Sequence, residues 1–421
     1  MAFLSTGAGL NPEFQSPLEV SGTTDVITEE AALCPPVGPA VRVTPLVQED
    51  EVVARGSAVA CLRHNPEICF TAPIAGRVAR ITLQPGRLLS EIVLFRDDGA
   101  GVETHDPKLA ETDAGLRRLM QSAGVWPWLR RRPFGGMPAQ GETPSAILVM
   151  AADTRPLSPD PVEALGGREE DLARGFGALA RLTNGPVVFC THGDAAPWRS
   201  FASGRIQIAE RGTRHPQASA GICVHGLCPA GLDTPVWDIH AEDVAALGTL
   251  LRTGILPMNR LVRIAGAGLR EARRLRTHPG ADLRQLTRRI AAPGAHVILS
   301  GSPLDGHAAH WLAPRHRQVT VLPRYEAPRR QHWLVSALTE TAGAGPAIPT
   351  AALTQAFGAV LPAAPFIRAL EAGDDETAMN LGLLSLLEED VALADYVLCH
   401  GGQLMAQLRA MLDRIRREYA A

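Results

Sequence analysis

Short apolar runs alternate with turns over residues 41–95: 41–44, 52–56, 58–62, 69–73, 76–81 and 91–95. Strands at this spacing predict a small β-sandwich or barrel. The period then lengthens. Residues 113–129 predict a helix with Leu116, Leu119 and Met120 on one face and Gly124 as its stop. Residues 146–152 form an uninterrupted apolar run bounded by breakers, the pattern of a buried strand in a parallel sheet. A helix over 166–182 and a strand over 186–190 follow, and strand, helix and strand in this order make a right-handed parallel unit. Residues 237–254 read as a strand end and a helix closed by Gly254. From Arg260 the runs shorten again: a strand at 261–264, a turn at 266–268, a helix at 283–290, and strands at 295–302 and 318–323, a β-grasp-like order. Residues 1–33 are polar without a clear period and are expected as an extended arm. Residues 215–229, rich in Gly, Pro and His, are expected as a loop. A Pro/Ala/Gly-rich link at 341–349 leads to a helical end, where Leu404, Leu408, Met411, Leu412, Ile415 and Tyr419 form one stripe.

The chain of 421 residues is long enough for several compact units. The expected class is a multidomain α/β chain: arm 1–33, sandwich 34–112, Rossmann-like parallel core 113–255, β-grasp module 256–335, and helical domain 336–421. A formal charge of −3 gives no reason to expect nucleic acid. No stretch reaches the ~18–20 uncharged residues that span a bilayer. The best one, 357–367, is short and holds Pro362 and Pro365. The first residues lack a basic region followed by an apolar core, so no secretory signal is expected. The expected place is the cytoplasm, or the cytoplasmic face of a membrane through a partner.

The phrase from Phe70 to Ile81, followed by Pro85 and Gly86, resembles the second half of a biotinyl/lipoyl-type sandwich. Biotin and lipoate need a primary amine for their amide link. The hairpin at 62–67 offers arginine and histidine, and Lys108 is the only lysine in the chain. The sandwich is therefore expected to carry neither group.

Seven cysteines are scattered without a C-x-x-C pair, so no zinc or iron–sulfur site is expected. Cys223 and Cys228, around His225, are the one local cluster, and reduced thiols are the simpler reading. Gly266 and Gly268 lack the third glycine of a dinucleotide fingerprint, because Glu271 stands in its place. Gly135 and Gly136 are too few for a flavin loop and read as a tight turn. The acidic run at 388–390 reads as a solvated helix face.

Two candidate sites emerge at the end of the 146–152 strand, where open α/β sheets place ligands. Trp126, Trp128 and Phe134, beside Arg132 and Pro133 and facing Asp153 and Thr154, have the chemistry of a flat apolar slot with a donor. The equal alternative is that the aromatics staple a helix to the sheet and Arg132 pairs with a carboxylate. His215 and His225, with Asp153, form a candidate proton relay, against the alternative of loop-stabilising residues.

The motifs, taken together and in order, resemble the A subunit of the sodium-pumping NADH:quinone reductase. They are the 122–161 segment with Trp126, Pro133, Phe134, Asp153 and Thr154; Trp237, Ile239, Asp243, Val244, Ala246, Gly248, Thr253 and Gly254; Arg276, Thr277, Gly280 and Ala281; Ser300, Gly301, Ser302, Leu304 and Gly306; and Glu388, Glu389, Asp390, Ala392 and Leu393. That family is similar in fold to the flavoprotein subunit of respiratory complex I and to the C subunit of the Rnf complex. The resemblance implies a peripheral subunit, on the cytoplasmic face of a bacterial inner membrane, of a complex that passes electrons from NADH to ubiquinone while moving sodium. It implies a β-grasp module of the soluble-ligand-binding type, integral-membrane and flavoprotein partner subunits, association with quinone, and no FMN or iron–sulfur cluster in this chain. A cofactor-free structural adaptor of a related complex and a stand-alone NADH-oxidising flavoprotein are the alternatives.

Overall fold

The structure is a computed structural model, and it describes residues 7–36, 38–193, 196–324 and 350–419. The boundary expected at 335/336 and the link at 341–349 lie outside the described residues.

The first eight strands are β1 (Glu19–Asp25), β2 (Glu30–Leu33), β3 (Val43–Pro45), β4 (Val52–Val53), β5 (Ala58–Leu62), β6 (Cys69–Thr71), β7 (Gly76–Gln84) and β8 (Leu88–Arg96). Seven of them make two facing sheets, β2-β8-β7-β4 and β3-β5-β6. Alternate residues turn inward, so that Val43, Val59, Phe70, Val78, Ile92 and Leu94 fill the space between the sheets. Gly76 is required where β7 meets β8, because a Cβ there would stand 2.3 Å from the Phe95 carbonyl oxygen. The stretch expected as a polar arm contributes strands to two sheets. β2 pairs antiparallel with β8, and β1 pairs parallel with a strand far along the chain. β1 is an edge strand exposed along nearly its whole length, so no apolar alternation marks it in the sequence.

The middle of the chain folds as α1 (Asp113–Ser122), β9 (Arg130–Arg132), β10 (Ala146–Ala151), α2 (Glu169–Ala180), β11 (Val187–His192), β12 (Ile206–Arg211), α3 (Ala220–Leu227), β13 (Val236–His240) and α4 (Ala241–Thr253). The sheet order is β12-β11-β10-β13-β9, with the first four strands parallel and β9 antiparallel to β13. Every residue of β10 is buried, as its continuous apolar run requires. The order reverses between β10 and β13: one connection from β10 leads outward to β11, and β13 returns on the other side. This split leaves a crevice at the carboxyl ends of β10 and β13. α1 is shorter than expected, since Gly124 turns the chain at φ +82° and a 3-10 turn at Trp126–Trp128 leads into β9. The expected loop at 215–229 contains α3. Its two glycines weaken helix propensity, and packing against the sheet and the C-terminal unit overrides it.

Next come β14 (Arg260–Ala265), β15 (Ala272–Thr277), α5 (Leu283–Thr287), β16 (His296–Ser300), β17 (His307–Ala308) and β18 (Gln318–Pro323), in a mixed sheet of order β1-β15-β14-β18-β16-β17. The described chain ends in α6 (Ala351–Ala356), α7 (Ala363–Ala372), α8 (Asp375–Asn380), α9 (Ala392–Leu398) and α10 (Gln403–Tyr419). Leu404, Leu408, Met411, Leu412 and Ile415 of α10 are buried as their spacing predicts, whereas Tyr419 is 54% exposed at the helix end.

The acidic run at 388–390 is not a solvated face. Asp390 is fully buried and accepts hydrogen bonds from Gly221 N–H (2.9 Å), at the start of α3, and from Leu387 N–H (2.8 Å). A carboxylate at a helix N-terminus meets unpaired N–H groups and the positive end of the helix dipole.

Candidate functional site

A cavity of about 170 Å³ opens at the split between β10 and β13. Asp153 and Arg155 reach it from the loop after β10, and Asp238 and His240 from β13. Ala218, Ser219 and Ala220 border it at the start of α3, and Asp305, Arg315 and His316 come from the neighbouring mixed-sheet unit. Glu388, Glu389 and Met405 close it from the helical unit, with Met150 and Ala152 as apolar wall.

The charged groups of this wall are paired with one another, though Arg130 Nε and Glu388 Oε2 are buried without a hydrogen-bond partner. Arg155 binds Asp153 through Nε (3.0 Å to Oδ1) and Asp305 through Nη1 (3.2 Å). Arg130 pairs with Glu389 at 2.7 Å, Arg409 with Glu388 at 3.1 Å, and Arg315 with Asp238. Burial pushes the Asp305 carboxyl up, but Arg155, His316 and the Ser302 hydroxyl outweigh it and hold it well below the usual range. For Asp238, burial is likewise outweighed by Arg315 and Arg132. The imidazoles go the other way. Burial pushes His316 down to about 3, and burial together with Arg317, Arg315 and Arg155 pushes His240 well below its ordinary value. Near neutral pH the His240 and His316 imidazoles are therefore held uncharged and the Asp238 and Asp305 carboxyls ionised, while a third imidazole of the wall, His307, stands 5.6 Å from the His316 ring.

The slot expected from the sequence is divided among other roles. Trp126 is fully buried, donates its indole N–H to the Pro138 carbonyl (2.9 Å), and packs edge-on against Trp237. Trp128 lies under the Arg260 guanidinium, 4.5 Å from ring centroid to carbon, in the same core. Phe134, after Pro133, packs instead into the core of the helical unit. Arg132 is 0% exposed and pairs with Asp238, with Asp390 (3.4 Å) and with Glu389 (3.6 Å). The stapling and pairing alternative is what the geometry displays. Asp153 does reach the cavity. Thr154 turns to His215, with Oγ1 3.2 Å from Nδ1, while Ala218 N–H donates to the same oxygen at 3.3 Å.

Asp153 acts on His215 through its charge, while no hydrogen bond among the described residues links His215 to His225. His215 is buried in the loop before α3, where burial lowers it to about 4. His225 sits further along α3, with its ring against the Gly382 backbone. Gly135 and Gly136 lie against Leu387 and Pro39, away from the cavity. Cys223 is buried and Cys228 half-buried in the apolar layer under α3. Among the described residues no group of His, Cys, Asp or Glu is arranged to hold a metal ion.

Sequence reading missed His240, Asp305, Arg315 and His316, and reached Arg155 only as part of the loop after Asp153. The position of His240 at the carboxyl end of a strand could have pointed to it. Nothing local marks His316, which reaches the site only through the packing of separate units.

Together these features define a mixed α/β chain with a cavity at the switch point of its parallel sheet, a barrel-sandwich unit before it and a helical unit after it. No described helix is long and apolar enough to cross a membrane. Residues 16–97 match the family described as the NqrA N-terminal barrel-sandwich hybrid domain, and residues 111–256 match the NqrA second alpha/beta domain. The chain is 30% identical over 388 residues to the A subunit of the Na(+)-translocating NADH-quinone reductase of Alcanivorax borkumensis, covering 84% of this chain and 86% of that one. It is 30% identical to the corresponding protein of Neisseria meningitidis, covering 97% and 98%. It is 31% identical to that of Actinobacillus pleuropneumoniae, covering 88% and 90%. The chain belongs to the family of A subunits of the Na(+)-translocating NADH-quinone reductase.

Proposed function

We propose that this chain is the peripheral A subunit of an ion-translocating NADH:quinone oxidoreductase, and that the cavity between β10 and β13 receives the quinone headgroup. In this reading the middle unit is a Rossmann-like core and the mixed sheet a β-grasp module of the soluble-ligand-binding type. In this division the sandwich takes in β2 and runs to about residue 112, the parallel core spans 113–255, and the mixed-sheet unit from 256 borrows β1 from the start of the chain. Integral-membrane and flavoprotein subunits would hold the chain at the cytoplasmic face of the membrane.

The observation that carries the proposal is the state of the cavity's donors. A quinone ring is flat and uncharged, and it asks for apolar walls with a few placed donors. Met150, Ala152, Ala218, Ala220 and Met405 supply the walls, and the neutral imidazoles of His240 and His316 line the same space. A flavin or nicotinamide phosphate asks for unpaired positive charge or glycine-rich backbone. Each arginine of the wall already has a carboxylate, so those ligands fit less well.

The test is to fill the space. Ala218→Trp should weaken decylubiquinone binding to the purified full chain by at least about tenfold, the usual scale for blocking a buried subsite. Thermal unfolding of the variant checks that the fold is kept. Undiminished binding by a folded variant would place the quinone elsewhere.

A further inference from the structure

His316 carries a constraint that the rest of the cavity wall lacks. Its Nδ1 lies 2.8 Å from the Ser300 hydroxyl oxygen, and that oxygen accepts the Ala313 N–H at 2.9 Å. Ser300 is fully buried at the end of β16. The Ala313 N–H cannot turn away, so it occupies a lone pair of Oγ. The buried hydroxyl has no other acceptor among the described residues, so an Nδ1–H would leave its hydrogen unpaired, and the favoured arrangement points that hydrogen at Nδ1. An imidazole nitrogen that accepts has no hydrogen of its own, which puts the ring proton on Nε2. Nε2 has no hydrogen-bond partner among the described residues, and it is not sealed in the protein interior. His316 lines the cavity, and Nε2 is the polar atom of its ring left without a partner among the described residues.

The ring is fixed as well as its tautomer. The Cε1 and Nδ1 edge lies against Gly301, where a Cβ would stand only 3.0 Å from Cε1. Gly301 has φ +104° and leaves room for the ring at this approach. Burial keeps the imidazole uncharged near neutral pH, so it gives a hydrogen bond without adding a cation.

We propose that His316, held by Ser300 as the Nε2–H tautomer, is the residue that donates to one carbonyl oxygen of the quinone ring. This rests on the quinone reading of the cavity and deepens it. Ser300 is a positioning residue that acts through the ring, and His316 is the group that touches the ligand. A fixed neutral donor suits an oxidised quinone, whose carbonyl oxygens accept and carry no charge. A rotatable hydroxyl or a mobile lysine would lose more freedom on binding.

The experiment uses the full chain with nitrogen-15 histidine and methyl-labelled methionine, titrated with decylubiquinone. Four results support the proposal. The His316 ring nitrogens should show the Nε2–H pattern before ligand is added, and the Nε2 proton should move downfield as ligand binds. His316→Phe should weaken binding about tenfold, the scale of a ligand acceptor left unpaired in a closed site, while His316→Gln, whose amide nitrogen reaches the Nε2 position, should recover most of it. Ser300→Ala should give a mixture of ring tautomers and an intermediate affinity. An Nδ1–H pattern in the wild-type chain overturns the proposal without any variant. So does a ligand that shifts the Met150 and Met405 methyls but leaves Nε2–H unmoved, in which case the quinone reading stands and the donor is another group. A ligand that shifts neither methyl overturns the quinone reading and this proposal with it.

Discussion

Arg132 shows what one residue does once the chain closes around it. Its guanidinium lies among Asp238, Asp390 and Glu389, and Asp390 in turn receives the N–H groups of Leu387 and Gly221. Three segments far apart in sequence thus share one enclosed group of charges. Gly221 is glycine because a Cβ there would stand 2.1 Å from an Asp390 oxygen. Arg132→Gln removes the cation beside buried Asp390, while Asp238 keeps Arg315, a loss of about 3–5 kcal/mol when one partner of a buried pair is deleted. The expected result is a clear fall in the denaturation midpoint of the purified chain. An unchanged midpoint would mean that the carboxylates find other partners and that the cluster is not structural.

Among the elements, α2 and α4 show how sequence sets a helix contact. Gly175 and Gly248 mark the closest approach: a Cβ on the first would stand 2.2 Å from the Val244 carbonyl oxygen, and on the second 1.7 Å from that of Asp171. The Asp171 carboxylate then clamps the pair, with Arg252 Nε and Nη2 at 2.8 Å and the Thr249 hydroxyl at 2.8 Å. These hydrogen bonds, Arg252 first, hold its pKa down to about 2. A carboxyl lowered on folding adds stability above its unfolded pKa, and the gain is lost as pH falls through the folded value. Asp171→Asn should therefore cost about 2 kcal/mol at neutral pH, and the gap from wild type should close between about pH 4 and pH 2. Urea unfolding of both proteins across that range checks it, and a gap that does not depend on pH would refute the charge-based account. Legibility follows the same physics. β10 and α4 are readable because one is apolar on both faces and the other has a long buried side with a glycine stop. β12, with half-exposed residues along most of its length, and β15, reading Ala-Arg-Arg-Leu-Arg-Thr, carry too weak an alternation to be seen. At the site, Asp153 is readable as the end of a strand. The aromatics around Arg132 have the composition of a slot, but only packing decides whether such a group encloses a ligand or its own neighbours.

At the scale of the whole molecule the units are held together by paired charge as well as apolar contact. Glu389 of the helical unit meets Arg130 of the middle unit at 2.7 Å, and Trp311 of the mixed-sheet unit donates to Glu91 of the sandwich at 2.8 Å. No described helix is long and apolar enough to cross a membrane. The proposal places attachment to a membrane complex on contacts with partner subunits. Washing membranes with chaotrope in the absence of detergent should release this chain while the integral subunits stay with the lipid. Retention after the partners are stripped would reveal a direct lipid contact.

The pairing of β1 with β15 also bears on the order in which the protein can be made. β1 belongs to a sheet whose other members are encoded much later, and nearby Thr28 hydrogen-bonds His278, 250 residues on. At about 5–20 residues per second, a ribosome takes on the order of 10–50 s to cover that distance. During this interval β1 has no neighbouring strand, while the sandwich beside it already has all its sequence. Nascent chains therefore expose an unmatched strand edge, a template for pairing with other chains. The polar residues of β1, Glu-Val-Ser-Gly-Thr-Thr-Asp, suit that wait, because a strand that is hard to recognise in sequence is also a poor seed for aggregation.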